Sequence, residues 1–410
     1  MYAGNFFISF GCQISQSLAM RDSAGLDLSG KTVLQVIPEL AAGGAERTTV
    51  EMAEAITNAG GRALVASQGG RLEAALQSAG GELIQIKAAS KNPLTIRNNA
   101  RQLERLVRDT KIDLIHARSR APGWSALMAA QRTETPFVTT YHGAYSGRTD
   151  LKKRYNSVMA KGDLVIANSE WTAQHVVEVH AVAREKIVTI PRGVDFEAFA
   201  PAAVTPERLH AVLSAWDVAP DETRVKLMLP GRLTRWKGQS LAIDALAALD
   251  DRERARVHLI LAGDAQGRAR YVTELEDKII DHGLGGIVSI VGHTIDMPAA
   301  YALADIVLAP STRPEAFGRV AAEASAMAKP VIVADHGGQR ETVIEGETGT
   351  RAEPGSVESL TACIRTLVNL RPEARLAMGQ AGQAFVREHY SKERLQAATL
   401  NVYARLLHLI

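Results

Sequence analysis

The sequence predicts an α/β protein built from two Rossmann-like, doubly wound domains that face a central cleft. Three observations carry this. From Lys31 onward, short apolar runs alternate with segments of 3.6-residue apolar spacing. Apolar runs joined by helices read as parallel sheets covered on both faces. The alternation breaks once, in "IPRGVDFEAFAPAAVTPERL" (190–209), whose Pro, Gly and small residues suit a linker, and then resumes. Finally, 410 residues exceed what one hydrophobic core ordinarily organises.

Element by element, the first half offers strands at "TVLQVI" (32–37), "RALVAS" (62–67), "ELIQI" (82–86), "DLIHA" (113–117), "FVTTY" (137–141), "DLVIA" (163–167) and "KIVTI" (186–190). The second half offers "RVKLMLP" (224–230), "VHLILAG" (257–263), "GIVSIVG" (286–292), "ADIVLAP" (304–310) and "KPVIVAD" (329–335). Helical patterns at 356–369, 373–389 and 392–408 close the chain. The expected division is an N-terminal extension (1–30), a first domain (31–200) and a second domain (201–391).

Composition is that of an ordinary globular chain, 46% hydrophobic and 22% charged. A net charge of +2 argues against a dedicated nucleic-acid binder. Residues 1–200 carry 23 Lys+Arg against 19 Asp+Glu, or +4, which leaves −2 for the remainder. Cys12 and Cys363 make neither a disulfide framework nor a metal cluster, which suits a cytoplasmic setting. The apolar opening has no positive charge before Arg21 and is a poor signal peptide. No apolar run reaches the ~18–20 residues that span a bilayer. The segment 92–111 reads as a basic amphipathic helix able to touch a membrane.

In open parallel sheets, ligands bind beyond the carboxyl ends of the strands, so the strand-end loops carry the search. Gly43 and Gly44 follow the first strand and open a helix, although G-x-G-x-x-G is absent. His116 lies at the end of the fourth strand, and Arg118 and Arg120 follow it. His142 sits beyond the fifth, beside Gly143, whereas His116 reads as a hydrogen-bonding residue of the interior. In the second half, Arg232 and Lys237 share a loop with Gly231 and Gly238 ahead of a helix, a set able to gather around a diphosphate. Gly263, Asp264 and His293 lie at neighbouring strand ends as candidates to border a donor nucleotide, although turn formation also explains the glycine and the aspartate. Glu315 lies in the loop after "ADIVLAP", Gly318 opens the next helix, and Glu323 lies about one turn into it. Two acceptors at different distances from a phosphate-binding helix start suit a sugar and a ribose flanking a diphosphate; a helix-dipole glutamate plus a solvated one is the plainer alternative.

With these residues assembled, the chain resembles the retaining nucleotide-sugar glycosyltransferases of family four, which have the GT-B architecture. The resemblance covers roughly 31–408 and rests on "EAFGRVAAE" (315–323), the E-x7-E motif. "GGAE" (43–46), "YHG" (141–143), "ANSEWT" (167–172), "PRGVD" (191–195), "GRLTRWKG" (231–238), "GD" (263–264) and "ADHGGQRETV" (334–343) match in order.

The resemblance implies that Glu315 binds donor-sugar hydroxyls, with the Phe317 and Gly318 amides against sugar or phosphate. It implies that Glu323 binds the ribose and that Arg232 and Lys237 neutralise the leaving diphosphate. Gly43 and Gly44 would approach the phosphates, and His142 would orient the sugar. It implies no cofactor and no metal, a UDP- or GDP-linked donor, and a last helix (392–408) that returns to the first domain. Arg192, where "PNGVD" is more usual, reads as a hinge variation. The expected activity is hexose transfer to a cell-envelope glycan or lipid-linked acceptor, first in lipopolysaccharide core assembly. Capsule or exopolysaccharide synthesis and a non-catalytic nucleotide-sugar-binding homologue are the alternatives. Arg118, Arg120, Arg148, Lys152, Lys153 and Arg154 would suit an acidic acceptor, and the expected location is cytoplasmic, at the inner face of the membrane.

Overall fold

The computed structural model describes residues 26–41, 43–143, 145, 149–219 and 223–410. Most of the expected N-terminal extension, Cys12 and Arg148 lie outside the described residues.

The first sheet comprises β1 (Thr32–Val36), β2 (Arg62–Ser67), β3 (Glu82–Gln85), β4 (Leu114–Ala117), β5 (Phe137–Tyr141), β6 (Leu164–Ala167) and β7 (Ile187–Thr189). The second comprises β8 (Val225–Pro230), β9 (Val257–Ala262), β10 (Val288–Gly292), β11 (Ile306–Ala309), β12 (Val331–Ala334) and β13 (Gly349–Ala352). The strand orders are β3-β2-β1-β4-β5-β6-β7 and β10-β9-β8-β11-β12-β13, and the pairings are parallel throughout. Both sheets carry apolar layers on both faces, which is why β1 and β9 are buried along their whole length. Each sheet reverses its winding once, between β1 and β4 and between β8 and β11. Those two switch points are where open parallel sheets receive ligands.

The chain crosses between domains twice, side by side. Val194 donates its N–H to the Tyr390 carbonyl at 2.8 Å, and Lys392 donates to the Val194 carbonyl at 3.0 Å. Gly193 is required at this crossing, since a Cβ there would lie 2.6 Å from Lys392 Cα. The final helix, Lys392–Leu406, then packs Leu395, Leu400 and Tyr403 against Met52 and Ile56 of the first domain.

Two expectations change. The edge strand β13, "GTRA", carries no apolar run and was not anticipated; its pairing with β12 makes it a strand. The segment 92–111 is indeed helical, as Pro93–Thr110, but Ala100, Leu103 and Val107 are buried in the first domain. That apolar stripe is spent on the core and is closed to a bilayer. No helix among the described residues is long and apolar enough to cross a membrane.

Candidate active site

The second domain builds its half of the site on the loop after β11. Glu315 Oε1 accepts from Lys237 Nζ at 2.8 Å and from the Ser311 hydroxyl, and both members of the Lys–Glu pair are only 14% exposed. Two glycines fold the loop after β12 against the Glu315 backbone. Gly337 has φ +67°, its Cβ would lie 2.7 Å from Glu315 N, and the Gly338 N–H donates to the Glu315 carbonyl at 2.7 Å. On the other flank, Gly238 adopts φ +87°, where a side chain would collide with the Pro310 carbonyl. Lys237 is thereby brought from the β8 loop to the end of β11, with Nζ 4.6 Å from the Trp236 ring centre.

Gly318, at φ +90°, opens the helix Arg319–Ala326, and no side chain caps that helix. Its first N–H groups therefore face the cleft without an internal acceptor, the arrangement in which helix starts hold anions. Glu323, further along the helix, receives the Tyr301 hydroxyl on Oε2 at 3.1 Å and pairs with Arg319 through Oε1 at 2.8 Å. Phe317 is buried edge-on to Tyr390, so only its backbone is available to a ligand.

Other expected residues are more dispersed. Arg232 is exposed and makes no ion pair among the described residues. Gly263 packs its Cα against the Gly231 carbonyl, holding the β8 and β9 loops together. Asp264 Oδ1 accepts the Gln266 N–H at 2.8 Å and so forms a turn, while His293 is exposed at the rim.

Across the cleft, Gly43 is the N-cap of helix Gly44–Asn58, again with no side-chain cap. A Cβ on Gly44 would meet Arg319 Nη1 of the second domain at 2.9 Å. His142 Nδ1 lies 2.9 Å from Arg192 Nη2, and Arg192 Nη1 donates to the Gly44 carbonyl at 2.6 Å and to Thr48 Oγ1 at 2.8 Å. Arg192 is thus no hinge variation: it is buried at the cleft and fastens three segments of the first domain. Burial, reinforced by Arg319 and Arg118, lowers its pKa to about 9.

Arg118 is also buried, 2% exposed, and donates through Nε to Gln35 Oε1 at 2.6 Å. It belongs to the interior rather than to an open basic face. Arg120 bonds Asn156 at 2.8 Å and lies 4.1 Å over the Tyr145 ring. His116 is fully buried between the Tyr403 hydroxyl at 2.7 Å and Thr140 at 2.6 Å, tying the last helix to the first sheet. Three guanidinium groups, on Arg118, Arg192 and Arg319, act on Glu51, whose carboxyl burial pushes upward against their pull. Such an excess of buried cation favours an anionic ligand.

The sequence alone reads Arg192 as a hinge variation and gives the Arg319 and Tyr301 side chains no role. The first two left a signal: Arg192 departs from the family pattern, and Arg319 stands four residues before Glu323 on one helix. Tyr301 left none, because only folding brings its helix beside Glu323.

The geometry agrees with what the comparisons find. The family described as Glycosyltransferase Family 4 matches residues 42–198, and Glycosyl transferases group 1 matches 214–385. A glycosyltransferase structure from Rickettsia africae is 34% identical, with TM-score 0.83, over 92% of this chain and 98% of that one. The chain belongs to the group 1 glycosyltransferases.

Among its relatives, the D-inositol 3-phosphate glycosyltransferase of Xylanimonas cellulosilytica is 27% identical over 307 residues, 72% of each chain. The structure of HepE from Anabaena in complex with UDP and glucose is 25% identical, with TM-score 0.77, over 93% of this chain and 100% of that one. As a group 1 glycosyltransferase, the protein is a sugar transferase of GT-B architecture, and the two switch points described above form the two walls of its cleft.

Proposed function

We propose that this glycosyltransferase takes a hexose from a UDP-linked sugar, with retention of configuration and without a metal, and passes it to a cell-envelope glycan or lipid-linked acceptor. The observation that carries the reading is the buried Lys237–Glu315 pair beside the uncapped start of helix Arg319–Ala326. Lys237, Arg232 and that helix start offer positive charge where a departing diphosphate develops negative charge, which is how such sites lower a barrier. Glu315 presents its Oε2 to sugar hydroxyls, and Glu323, braced by Tyr301, presents acceptors to a ribose.

Support for uridine over guanosine comes from the likeness to HepE, a protein solved with UDP and glucose. Retention is proposed to proceed by front-face departure of the diphosphate, since no carboxylate in the matched motifs is assigned as a nucleophile. For the acceptor we propose lipopolysaccharide core before capsule or exopolysaccharide. What supports an anionic, membrane-borne acceptor is that two first-domain helices each expose a leucine near cations in the chain, Leu94 ahead of Arg97 and Leu151 ahead of Lys152, Lys153 and Arg154, each leucine 79% exposed. Apolar side chains set among cations are the composition of an interfacial contact.

The test is a thermal-shift screen of UDP- and GDP-linked hexoses, followed by acceptor-free hydrolysis of the donor that binds. Stabilisation by UDP-hexose above GDP-hexose is expected. Absence of a shift with every nucleotide sugar would overturn the reading.

A further inference from the structure

Arg192 makes more contacts at the cleft than a linker residue needs. Its Nη1 holds the Gly44 carbonyl at 2.6 Å and Thr48 Oγ1 at 2.8 Å, while Nη2 reaches His142 Nδ1 at 2.9 Å. A guanidinium has donors only and does not lose its proton under ordinary conditions. His142 Nδ1 therefore accepts, and the proton of the neutral ring resides on Nε2. Asn168 Nδ2 lies 3.4 Å from the same Nδ1, consistent with a second donor to that lone pair. Nε2 itself is buried and has no hydrogen-bond partner among the described residues.

We infer that Arg192 is a positioning residue: it commits His142 to the neutral form carrying its proton on Nε2 and locks that ring to the first turn of helix Gly44–Asn58. His142 consequently keeps a buried N–H at Nε2 and no free lone pair at Nδ1, so it does not serve as a proton acceptor. Burial holds the imidazole well below its ordinary pKa, with the charges of Arg192 and then Arg118 acting in the same direction and the Arg118 backbone opposing. The other polar groups near this residue are His116 on β4, which interacts with it electrostatically, and the Tyr145 hydroxyl, which receives the His142 backbone N–H at 3.4 Å. Glu46 and Glu51 of helix Gly44–Asn58 act on Arg192 and keep it charged.

The same contacts join three strand-end segments of one domain. Arg192 fixes the Gly44 turn, at which Arg319 of the second domain arrives, to the loop after β5. A ligand in the cleft then meets His142 and the Gly44 turn as one rigid wall.

The inference rests on the transferase reading only for its kinetic arm. The first measurement is ¹⁵N NMR of histidine-labelled protein, with His142 assigned from a His142→Gln spectrum. The wild type should show an unprotonated Nδ1, a protonated Nε2, and no titration of this ring between about pH 5 and 8. In Arg192→Met the ring should titrate at least about one pH unit higher, the size of shift a neighbouring charge commonly causes. Arg192→Lys, which keeps a cationic donor, should restore the wild-type behaviour.

The second measurement is UDP release from UDP-glucose. Arg192→Met should lose about 10- to 100-fold in kcat/KM, the range for one charge-assisted hydrogen bond, and gain an acidic limb that Arg192→Lys lacks. A proton on Nδ1 in the wild type, or a His142 pKa unchanged in Arg192→Met, overturns the inference. Should Arg192→Met fail to fold, the wild-type tautomer and titration decide the matter alone. If UDP-glucose is neither bound nor turned over while the tautomer is as stated, the donor assignment fails and the role of Arg192 stands.

Discussion

Glu341 of the second domain caps a helix of the first, accepting the Trp171 N–H on Oε1 at 2.8 Å and the Glu170 N–H on Oε2 at 3.0 Å. Ser169 caps the same helix, Glu170–His180, through Thr172 N at 3.0 Å, so its first turn is completed only when the domains meet. Burial raises the Glu341 pKa, against the pull of the Trp171 and Glu170 N–H groups. A carboxyl raised in this way contributes most below its unfolded pKa, and that contribution is lost as pH rises through the folded value. Glu341→Gln, whose one amide oxygen accepts a single N–H while its NH2 faces the other, should therefore cost less at pH 7 than removal of both acceptors. Glu341→Ala should cost about 1–2 kcal/mol and open the cleft, read by thermal unfolding and small-angle scattering. Equal loss in the two variants would refute the assignment.

Lys237 is asked to stabilise charge on a departing diphosphate. Lys237→Met, which roughly keeps its volume, should lower kcat for donor hydrolysis by about 100- to 1,000-fold with a smaller change in donor KM. A change confined to KM would make Lys237 a binding residue with no share in the chemical step.

Gly318 and Gly44 look alike in sequence and differ in consequence. At Gly318, φ is +90° and a Cβ would overlap the Gln339 side chain at its root. Gly318→Ala should cost more than ~1–2 kcal/mol, because left-handed strain and overlap add. Gly44→Ala meets the far end of the Arg319 side chain at 2.9 Å, which can move aside. Its stability should change by less than ~1 kcal/mol while activity falls, as Arg319 leaves its place beside Glu323. Denaturant midpoints and hydrolysis rates separate the two cases.

His116 connects acidity to folding. Its burial, helped by the charge of Arg118, holds the imidazole well below the usual value. The unfolded chain takes up a proton near pH ~6.5 that the folded chain refuses. The stability it contributes is thus present above that pH and declines as pH falls toward the folded pKa, by up to about 1.4 kcal/mol per unit. His116→Gln should flatten the pH dependence of stability between about pH 6.5 and 5. An unchanged slope would show that other groups govern the acid limb.

The sequence by itself determined the two parallel sheets, because strands buried on both faces must be apolar almost throughout and each needs a crossover helix to reach its neighbour. It also located the strand-end loops, where Gly43, Gly238 and Gly318 mark turns that the chain makes for local steric reasons. It did not announce β13, whose "GTRA" becomes a strand only through its parallel pairing with β12. Nor did it separate buried from exposed cations: Arg118 and Lys152 read alike, yet the first lies under the cleft and the second on the surface.

The pairing of Lys237 with Glu315, of Tyr301 with Glu323 and of Arg192 with His142 spans 78, 22 and 50 residues of chain. Periodicity and spacing describe neighbours along the chain, whereas these contacts exist because two switch points bring distant loops together. The tertiary structure alone decided which nitrogen of His142 is free, since that depends on a guanidinium delivered from the linker.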